Sequence, residues 1–335
     1  MKHTLFAAAA AASLAFGSTA GAQDGANYIL ATASTGGTYY PVGVAISTLT
    51  KVRLEPSTGI GMNAISSAGS GENVRLLREG EAQFGILQGL FGYYAATGTG
   101  PVEADGPQED LRSVTLLWPN VEHFVVASDV AETGTFADFV DLTGERVALG
   151  ARNSGTIGSN DAILSNFDVD VYEDFTLVEG GYGPAAEALQ NGQVEGISTP
   201  AGDPVGAISQ LMASAGDSVT LLEFTDEELA QADGDRGLWF RYVIPAGTYP
   251  GQEADWNTIA QPNFLATHAD IPEEHVYEIT KTIYENLPFL QAIHPATGTM
   301  SLEVAISGLP LPLHPGAARY YSEQGIDIPD RLIAQ

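Results

Sequence analysis

The organisation of the fold is visible first in residues 27–52, which read NYILATASTGGTYYPVGVAISTLTKV. The apolar run 27–31 predicts a buried strand, the segment 32–38 predicts a loop, and residues 39–52 predict a helix. Two adjacent glycines in the loop let a ligand come close to the backbone, and the helix behind them starts with unpaired amides. A strand that leads into a helix through such a loop is typical of parallel α/β sheets.

The alternation of short apolar runs with helical patterns recurs in the first third of the chain and again in its middle. It favours an α/β protein with two such units. Two further apolar stretches, 123–127 and 263–267, are predicted to cross between the units. Strands are predicted at 59–65, 84–87, 146–149, 174–178 and 194–198, and helices at 73–78, 155–167, 184–191 and 272–286.

The composition narrows the classes of function. The 335 residues carry 42 acidic and 13 basic side chains, a formal net charge of −29. Because a surface of this charge repels phosphate backbones, no nucleic-acid partner is expected. The chain has no cysteine, which excludes disulfides, zinc ribbons and cysteine nucleophiles. The length predicts two domains.

Residues 1–22 have the three parts of a secretory signal peptide. A basic start is followed by an apolar run over 5–16, and the small residues Ala20, Gly21 and Ala22 form a cleavage pattern. The alternative, an N-terminal membrane anchor, is disfavoured because a spanning helix needs roughly 20 apolar residues. We therefore expect an exported, soluble protein, and the lack of cysteine favours the periplasm.

Three loops that follow predicted strands are rich in small and hydroxyl residues. They are STGGTYY at 34–40, SSAGSG at 66–71 and NSGT at 153–156. A helix start attracts anions through its free amides and its dipole. Ser, Thr and Asn are also the preferred helix caps, which explains any one of these loops without a ligand. Their matching places in two α/β units favour a shared ligand crevice.

Catalytic motifs are missing from the sequence. It contains no G-x-S-x-G, no H-E-x-x-H and no G-x-x-x-x-G-K-[ST]. The six histidines lack the spacing of metal ligands, and His123 lies inside an apolar run that places it in the core or at a hinge. We expect neither an enzyme nor a bound cofactor or metal.

Six segments resemble, in the same order, the motifs of the TAXI proteins, which are the solute-binding subunits of one class of TRAP transporters. The resemblance covers essentially the whole mature chain. It implies an α/β, two-lobe, type II periplasmic-binding-protein-like fold with a ligand cleft between hinged lobes. We expect lobe I over 23–122 and 258–335, and lobe II over 123–257. The segments are STGGTYYPVG at 34–43, GSGENVRLL at 69–77, NSGT at 153–156, ALQNGQV at 188–194, IPAGTY at 244–249 and GLPLPLHPGA at 308–317.

The resemblance implies a monomeric, extracytoplasmic solute-binding protein that delivers a small organic acid or amino acid to the TRAP permease subunits in the membrane. Glutamate, glutamine and dicarboxylates such as 2-oxoglutarate are the ligands it implies. A periplasmic sensor for a signalling partner would share these sequence features and is one alternative. A two-lobe enzyme is another, and it would need a base and a nucleophile in the cleft.

The matching loops carry the residues that we expect to bind the ligand. Gln88 offers an amide, and Tyr39 and Tyr182 are flat walls that also donate hydrogen bonds. Arg152 stands where the family usually has small residues and proline; it could hold a second carboxylate, or pair with a nearby acid at the surface. The expected set is Thr35, Gly36, Gly37, Thr38, Tyr39, Ser67, Ser70, Gln88, Arg152, Asn153, Ser154, Gly155, Thr156, Tyr182 and Pro200.

One segment departs from the family in a way that bears on the ligand. Gln88 is followed by Gly89 and Leu90, where the family often has a Ser-Asp pair. A carboxylate that would bind an ammonium group is therefore missing there, which argues against an amino acid. Asp203 could substitute for it if its side chain faces the cleft.

Overall fold

The chain folds into two α/β lobes joined by two crossing segments. The computed structural model describes residues 25–334, and the predicted signal peptide over 1–22 lies outside the described residues. The strands are β1 (Ala26–Ala31), β2 (Ile60–Ile65), β3 (Phe84–Gln88), β4 (Leu111–Val121), β5 (Phe124–Ala127), β6 (Arg146–Ala148), β7 (Thr176–Leu177), β8 (Gly196–Ser198), β9 (Val219–Leu221), β10 (Phe240–Ile244) and β11 (Trp256–His268). The α-helices are α1 (Tyr39–Arg53), α2 (Glu55–Thr58), α3 (Ser70–Arg78), α4 (Gly89–Thr97), α5 (Ala137–Val140), α6 (Gly155–Leu164), α7 (Tyr182–Gln190), α8 (Gly206–Ala215), α9 (Asp226–Asp233), α10 (Glu273–Glu285), α11 (Leu287–Ile293) and α12 (Pro315–Glu323).

The first lobe is built on a six-stranded sheet with the predicted parallel unit, in the order β3-β1-β2, at one end. β1 pairs in parallel with β2 and β3, so the carboxyl ends of these three strands lie at one edge. β11 runs antiparallel beside β3 and pairs on its other side with β4. Phe84, Trp118 and Tyr321 are fully buried in the core that covers this sheet.

The second lobe is built on a five-stranded sheet in the order β7-β6-β8-β5-β9. β6 is parallel to β7 and β8, whereas β5 is antiparallel to β8 and β9. One core cluster contains Phe124, Phe136 and Phe139, with the ring centroids of the latter two 4.7 and 4.9 Å from that of Phe124. A second cluster contains Ile197 and Ile208.

Two connections cross between the lobes. β4 leads into β5 through Glu122 and His123, which are both fully buried. β11 crosses in the other direction: Trp256 packs in the core of the second lobe and Phe264 in the core of the first. His123 lies on the crossing connection between β4 and β5, and its Nε2 is 2.6 Å from the hydroxyl oxygen of Tyr249.

Two helices begin at the residues that the sequence predicts. α1 begins at Tyr39 and α6 at Gly155, as predicted, and the Ser154 hydroxyl caps α6 by accepting the Ile157 amide at 3.1 Å. The strand predicted at 174–178 is reduced to the two residues of β7, which lies at the edge of its sheet. Among the helices between residues 25 and 334, none has the length and apolarity that a membrane crossing requires.

Candidate ligand-binding site

A cavity of about 220 Å³ lies between the lobes, where α1, α3, α4, α6 and α7 begin. The strand ends and the helix starts of the two sheets meet here, as expected for open α/β sheets. Its walls are formed by Ala33, Ser34, Gly37, Thr38, Tyr39, Ser67, Ala68, Gly69, Ser70, Gln88, Asn120, Ala151, Ser154, Gly155, Thr156, Gly180, Gly181, Tyr182, Pro200 and Ala201.

The glycine loop before α1 brings the lobes together. The Thr38 hydroxyl donates a hydrogen bond of 2.6 Å to the carbonyl of Gly202 in the other lobe. A Cβ atom on Gly37 would lie 3.0 Å from the Tyr182 ring, and one on Gly36 would lie 3.2 Å from the Gly183 nitrogen. The two glycines are therefore needed because α7 packs directly against this loop.

The wall on the side of α3 and α4 contains two buried amides with unpaired atoms. The Ser70 hydroxyl accepts the backbone amide of Gln88 at 3.0 Å and fixes this wall. Gln88 is 3% exposed and Asn120 is 1% exposed. Within residues 25–334, the Gln88 Oε1 and the Asn120 Nδ2 have no hydrogen-bond partner. These two atoms are therefore available for a hydrogen bond from a polar molecule in the cavity.

The wall on the side of α6 and α7 supplies free amides and a hydroxyl chain. Within the described chain, no partner is found for the amides of Gly155 and Thr156. The Tyr182 hydroxyl donates to the Pro200 carbonyl at 2.7 Å and lies 2.8 Å from the Thr156 hydroxyl. Burial raises the pKa of Tyr182 and of Tyr39, so both phenols stay neutral; Tyr182 donates its hydrogen bond to the Pro200 carbonyl and Tyr39 donates its hydrogen bond to Asn263 Oδ1.

The cavity walls carry no charged side chain among the residues that the structure describes. Arg152, one of the predicted binding residues, points into solvent: its side chain is 79% exposed and Nη2 lies 3.1 Å from Oε1 of Glu179. Arg152 therefore forms a surface ion pair and does not line the cavity. Asp203 does not line the cavity either, because its carboxylate accepts the Tyr242 hydroxyl at 2.9 Å.

Three other predicted residues lie beside the cavity rather than on its wall. Thr35 is exposed, and Gly36 packs against α7. Asn153 turns the chain with a positive φ of 61°, and its carbonyl accepts the amide of Glu72 across the lobes at 2.9 Å. The other members of the predicted set line the cavity: Gly37, Thr38, Tyr39, Ser67, Ser70, Gln88, Ser154, Gly155, Thr156, Tyr182 and Pro200.

Some wall residues are missing from the predicted set. Asn120 lies near the end of the long buried strand β4, where a single polar residue gives a weak signal. Gly180 and Gly181 precede α7 as Gly36 and Gly37 precede α1, and this repeated pair is a signal that could have found them.

The lobes are closed around the cavity. The bond from Thr38 to Gly202 and the bond from Glu72 to Asn153 both join one lobe to the other. A Cβ atom on Gly71 would lie 2.4 Å from the Asn153 carbonyl oxygen, so the backbones of α3 and the loop before α6 are in direct contact. Opening the cleft would break these contacts and expose the cavity.

A buried carboxyl group lies at the hinge behind the cavity. Glu122 is fully buried and accepts hydrogen bonds from Ser159 Oγ at 3.0 Å and from Trp239 Nε1 at 3.3 Å. Burial raises the pKa of Glu122 to about 7, and the hydrogen bonds only partly oppose this. Within residues 25–334, no cluster of three His, Asp or Glu side chains is placed to hold a metal ion.

Two α/β lobes that enclose a polar, helix-lined cavity have the architecture of the type II periplasmic-binding-protein fold. The NMT1-like family model matches residues 30–325. The chain therefore belongs to the NMT1-like family, which is the TAXI-type family of periplasmic binding proteins.

Three solved structures are similar to this chain, and the first of them supports the fold. The periplasmic binding protein BugD is 14% identical, with a TM-score of 0.51, and the match covers 89% of this chain and 92% of BugD. The alkanesulfonate-binding protein SsuA from Xanthomonas axonopodis pv. citri, bound to MOPS, is 15% identical with a TM-score of 0.44. The match covers 92% of this chain and 96% of SsuA. A binding component of an ABC phosphonate transporter from Pseudomonas aeruginosa is 8% identical with a TM-score of 0.48. The match covers 82% of this chain and 79% of that protein.

Proposed function

We propose that the protein is the extracytoplasmic solute-binding subunit of a TAXI-type TRAP transporter. It captures a small organic acid between its lobes and delivers it, unchanged, to the membrane permease. In this proposal residues 1–22 direct export to the periplasm and are removed. The mature chain acts as a monomer, with lobe I over 23–122 and 258–335 and lobe II over 123–257.

The observation that carries the proposal is the convergence of helix starts on a cavity with unpaired buried amides. The dipole of each helix places partial positive charge at its start, so a carboxylate is favoured there without a cationic side chain. The free amides of Gly155 and Thr156 supply donors from one lobe, and the start of α1 supplies them from the other. The family resemblance implies glutamate, glutamine and 2-oxoglutarate, each of which carries a second charged group that the cavity walls do not pair.

Closure of the lobes distinguishes the protein with bound ligand from the protein without it. The ligand touches both lobes only when they are closed, so its binding free energy raises the closed population. We infer that the permease recognises the surface that forms on closure. No covalent step is needed, because release follows from reopening.

A thermal-shift screen with organic acids and amino acids tests this function. A ligand at about one hundred times its Kd stabilises the folded protein by about 2.7 kcal/mol, and the melting temperature rises accordingly. We expect organic acids to raise it and to be recovered unchanged. If no organic acid shifts the melting temperature, or if one is consumed, the transport function is wrong.

We expect Thr156→Val to weaken binding of the tightest acid about fivefold, the loss of roughly one hydrogen bond worth about 1 kcal/mol. Valine has a similar shape, and the Tyr182 hydroxyl keeps its bond to the Pro200 carbonyl. The melting temperature without ligand should change little. Isothermal titration gives both dissociation constants, and equal values would remove Thr156 from the site.

A further inference from the structure

We propose that the ligand is a small monocarboxylate with one negative charge and an uncharged hydrogen-bond donor, such as a hydroxyl, on the atom next to the carboxylate. This inference rests on the proposed function and names the ligand class for the same cavity. The unpaired oxygen of Gln88 beside the start of α6, in a cavity without charged walls, points to such a molecule.

The ligand carboxylate is placed at the starts of α1, α6 and α7. The first turns of these helices contain no acidic residue. At the other two helix starts, a protein side chain already accepts one of the nearby backbone amides. Glu72 in the first turn of α3 accepts the Ala68 amide at 2.6 Å, and Gln261 accepts the Leu90 amide of α4 at 2.9 Å. The free helix ends therefore face one part of the cavity, which suits one anionic group.

The cavity walls carry no charged side chain that could pair with a second charged group of the ligand, whether positive or negative. Arg152 faces solvent, so a second carboxylate would be buried without a cation. The carboxylates near the cavity accept hydrogen bonds from the protein and do not line its walls. Glu72 accepts the Ala68 amide, and Asp203 accepts the Tyr242 hydroxyl. An ammonium group would therefore be buried without a carboxylate on the wall. Burying an unpaired charge is far more costly than burying a hydrogen-bonded hydroxyl.

The unpaired Oε1 of Gln88 is the acceptor for the hydrogen-bond donor that we infer on the ligand. A Cβ atom on Gly155 would lie 2.5 Å from Gln88 Oε1, so this acceptor lies against the first residue of α6. A carboxylate bound at the Gly155 amide places its neighbouring atom close to Gln88. Asn120 offers an unpaired donor to the same cavity. A hydroxyl satisfies both amides, because it donates one hydrogen bond and accepts others.

The test measures dissociation constants for matched acids by isothermal titration. Each carbon skeleton, in a series of increasing length, is supplied as its 2-hydroxy, 2-oxo and 2-amino monocarboxylate and as the 2-hydroxy dicarboxylate. We expect the 2-hydroxy monocarboxylate to bind about tenfold tighter than the other members of the skeleton that binds best. If the oxo acid, the amino acid or the dicarboxylate binds tightest, this inference is wrong although organic-acid binding stands. If no acid binds, the proposed function itself fails.

The variant Gln88→Met separates the role of the amide oxygen from that of shape. The Gln88 side chain makes no hydrogen bond within the described residues, so methionine should leave the stability without ligand unchanged or slightly higher. We expect the preference for the hydroxy acid over the oxo acid to fall from about tenfold to near equality, because the acceptor is lost. A preference that survives in Gln88→Met, at an unchanged melting temperature, would overturn the role of Gln88.

Discussion

Replacing Gly71 by alanine is expected to weaken ligand binding about 5- to 150-fold, although Gly71 does not line the cavity. Its new Cβ atom would lie 2.4 Å from the Asn153 carbonyl oxygen in the closed form. Because the new Cβ atom would meet a backbone carbonyl of the opposite lobe, the closed form is destabilised relative to a partly open one. Overpacking of this kind costs about 1–3 kcal/mol. Isothermal titration of the tightest acid gives the change in Kd.

Gly183→Ala is the matched control for this experiment. Gly183 is the second residue of α7, as Gly71 is the second residue of α3, but a Cβ atom there would meet nothing within 4 Å. We expect its Kd to equal that of the unaltered protein. Alanine within a helix is as stable as glycine or more so, so neither variant should unfold the protein. Unchanged binding in Gly71→Ala would show that full closure is not needed for capture.

Replacing Glu122 by glutamine is expected to remove a pH dependence of stability. Burial raises the pKa of Glu122 from 4.5 to about 7, so between these values the unfolded chain loses a proton that the folded protein retains. The free energy of unfolding therefore falls as the pH rises from 4.5 towards 7 and levels off above it. The loss amounts to about 3 kcal/mol. Glutamine is neutral throughout, so Glu122→Gln should be more stable than the unaltered protein by up to that amount at about pH 8.

Urea unfolding at about pH 5 and at about pH 8 measures this effect. The hydrogen bonds from Ser159 and Trp239 can be accepted by the amide oxygen of glutamine, so the fold is retained. Glu145→Gln, at an exposed glutamate, controls for the loss of one negative charge from an acidic protein. If Glu122→Gln and the unaltered protein lose the same stability between the two pH values, the buried carboxyl is already ionised in the fold.

Local features of the fold were predictable because they depend on neighbouring residues. Ser154 accepts the Ile157 amide and so sets the start of α6 from within one turn. The pairing of β3 with β11 could not be predicted in the same way, because it places residue 88 opposite residue 263 in the sheet of the first lobe. Such long-range antiparallel pairing depends on the tertiary fold rather than on the local pattern.

The candidate site was predictable where it coincides with helix starts. Gly37, Thr38 and Gly155 could be named because their loops precede helices at strand ends. The orientation of Arg152 could not be read from the sequence, because it depends on Glu179 from a separate loop. Asn120 was missed for a related reason, since only the three-dimensional structure shows that the end of β4 reaches the cavity.

A crystal structure of the protein with its tightest-binding acid would test the central claim most directly. The account predicts the intact carboxylate within hydrogen-bond distance of the amides that start α1 and α6, with residues of both sheets touching the ligand. A ligand bound elsewhere on the molecule, or held by one lobe with the cleft open, would contradict it.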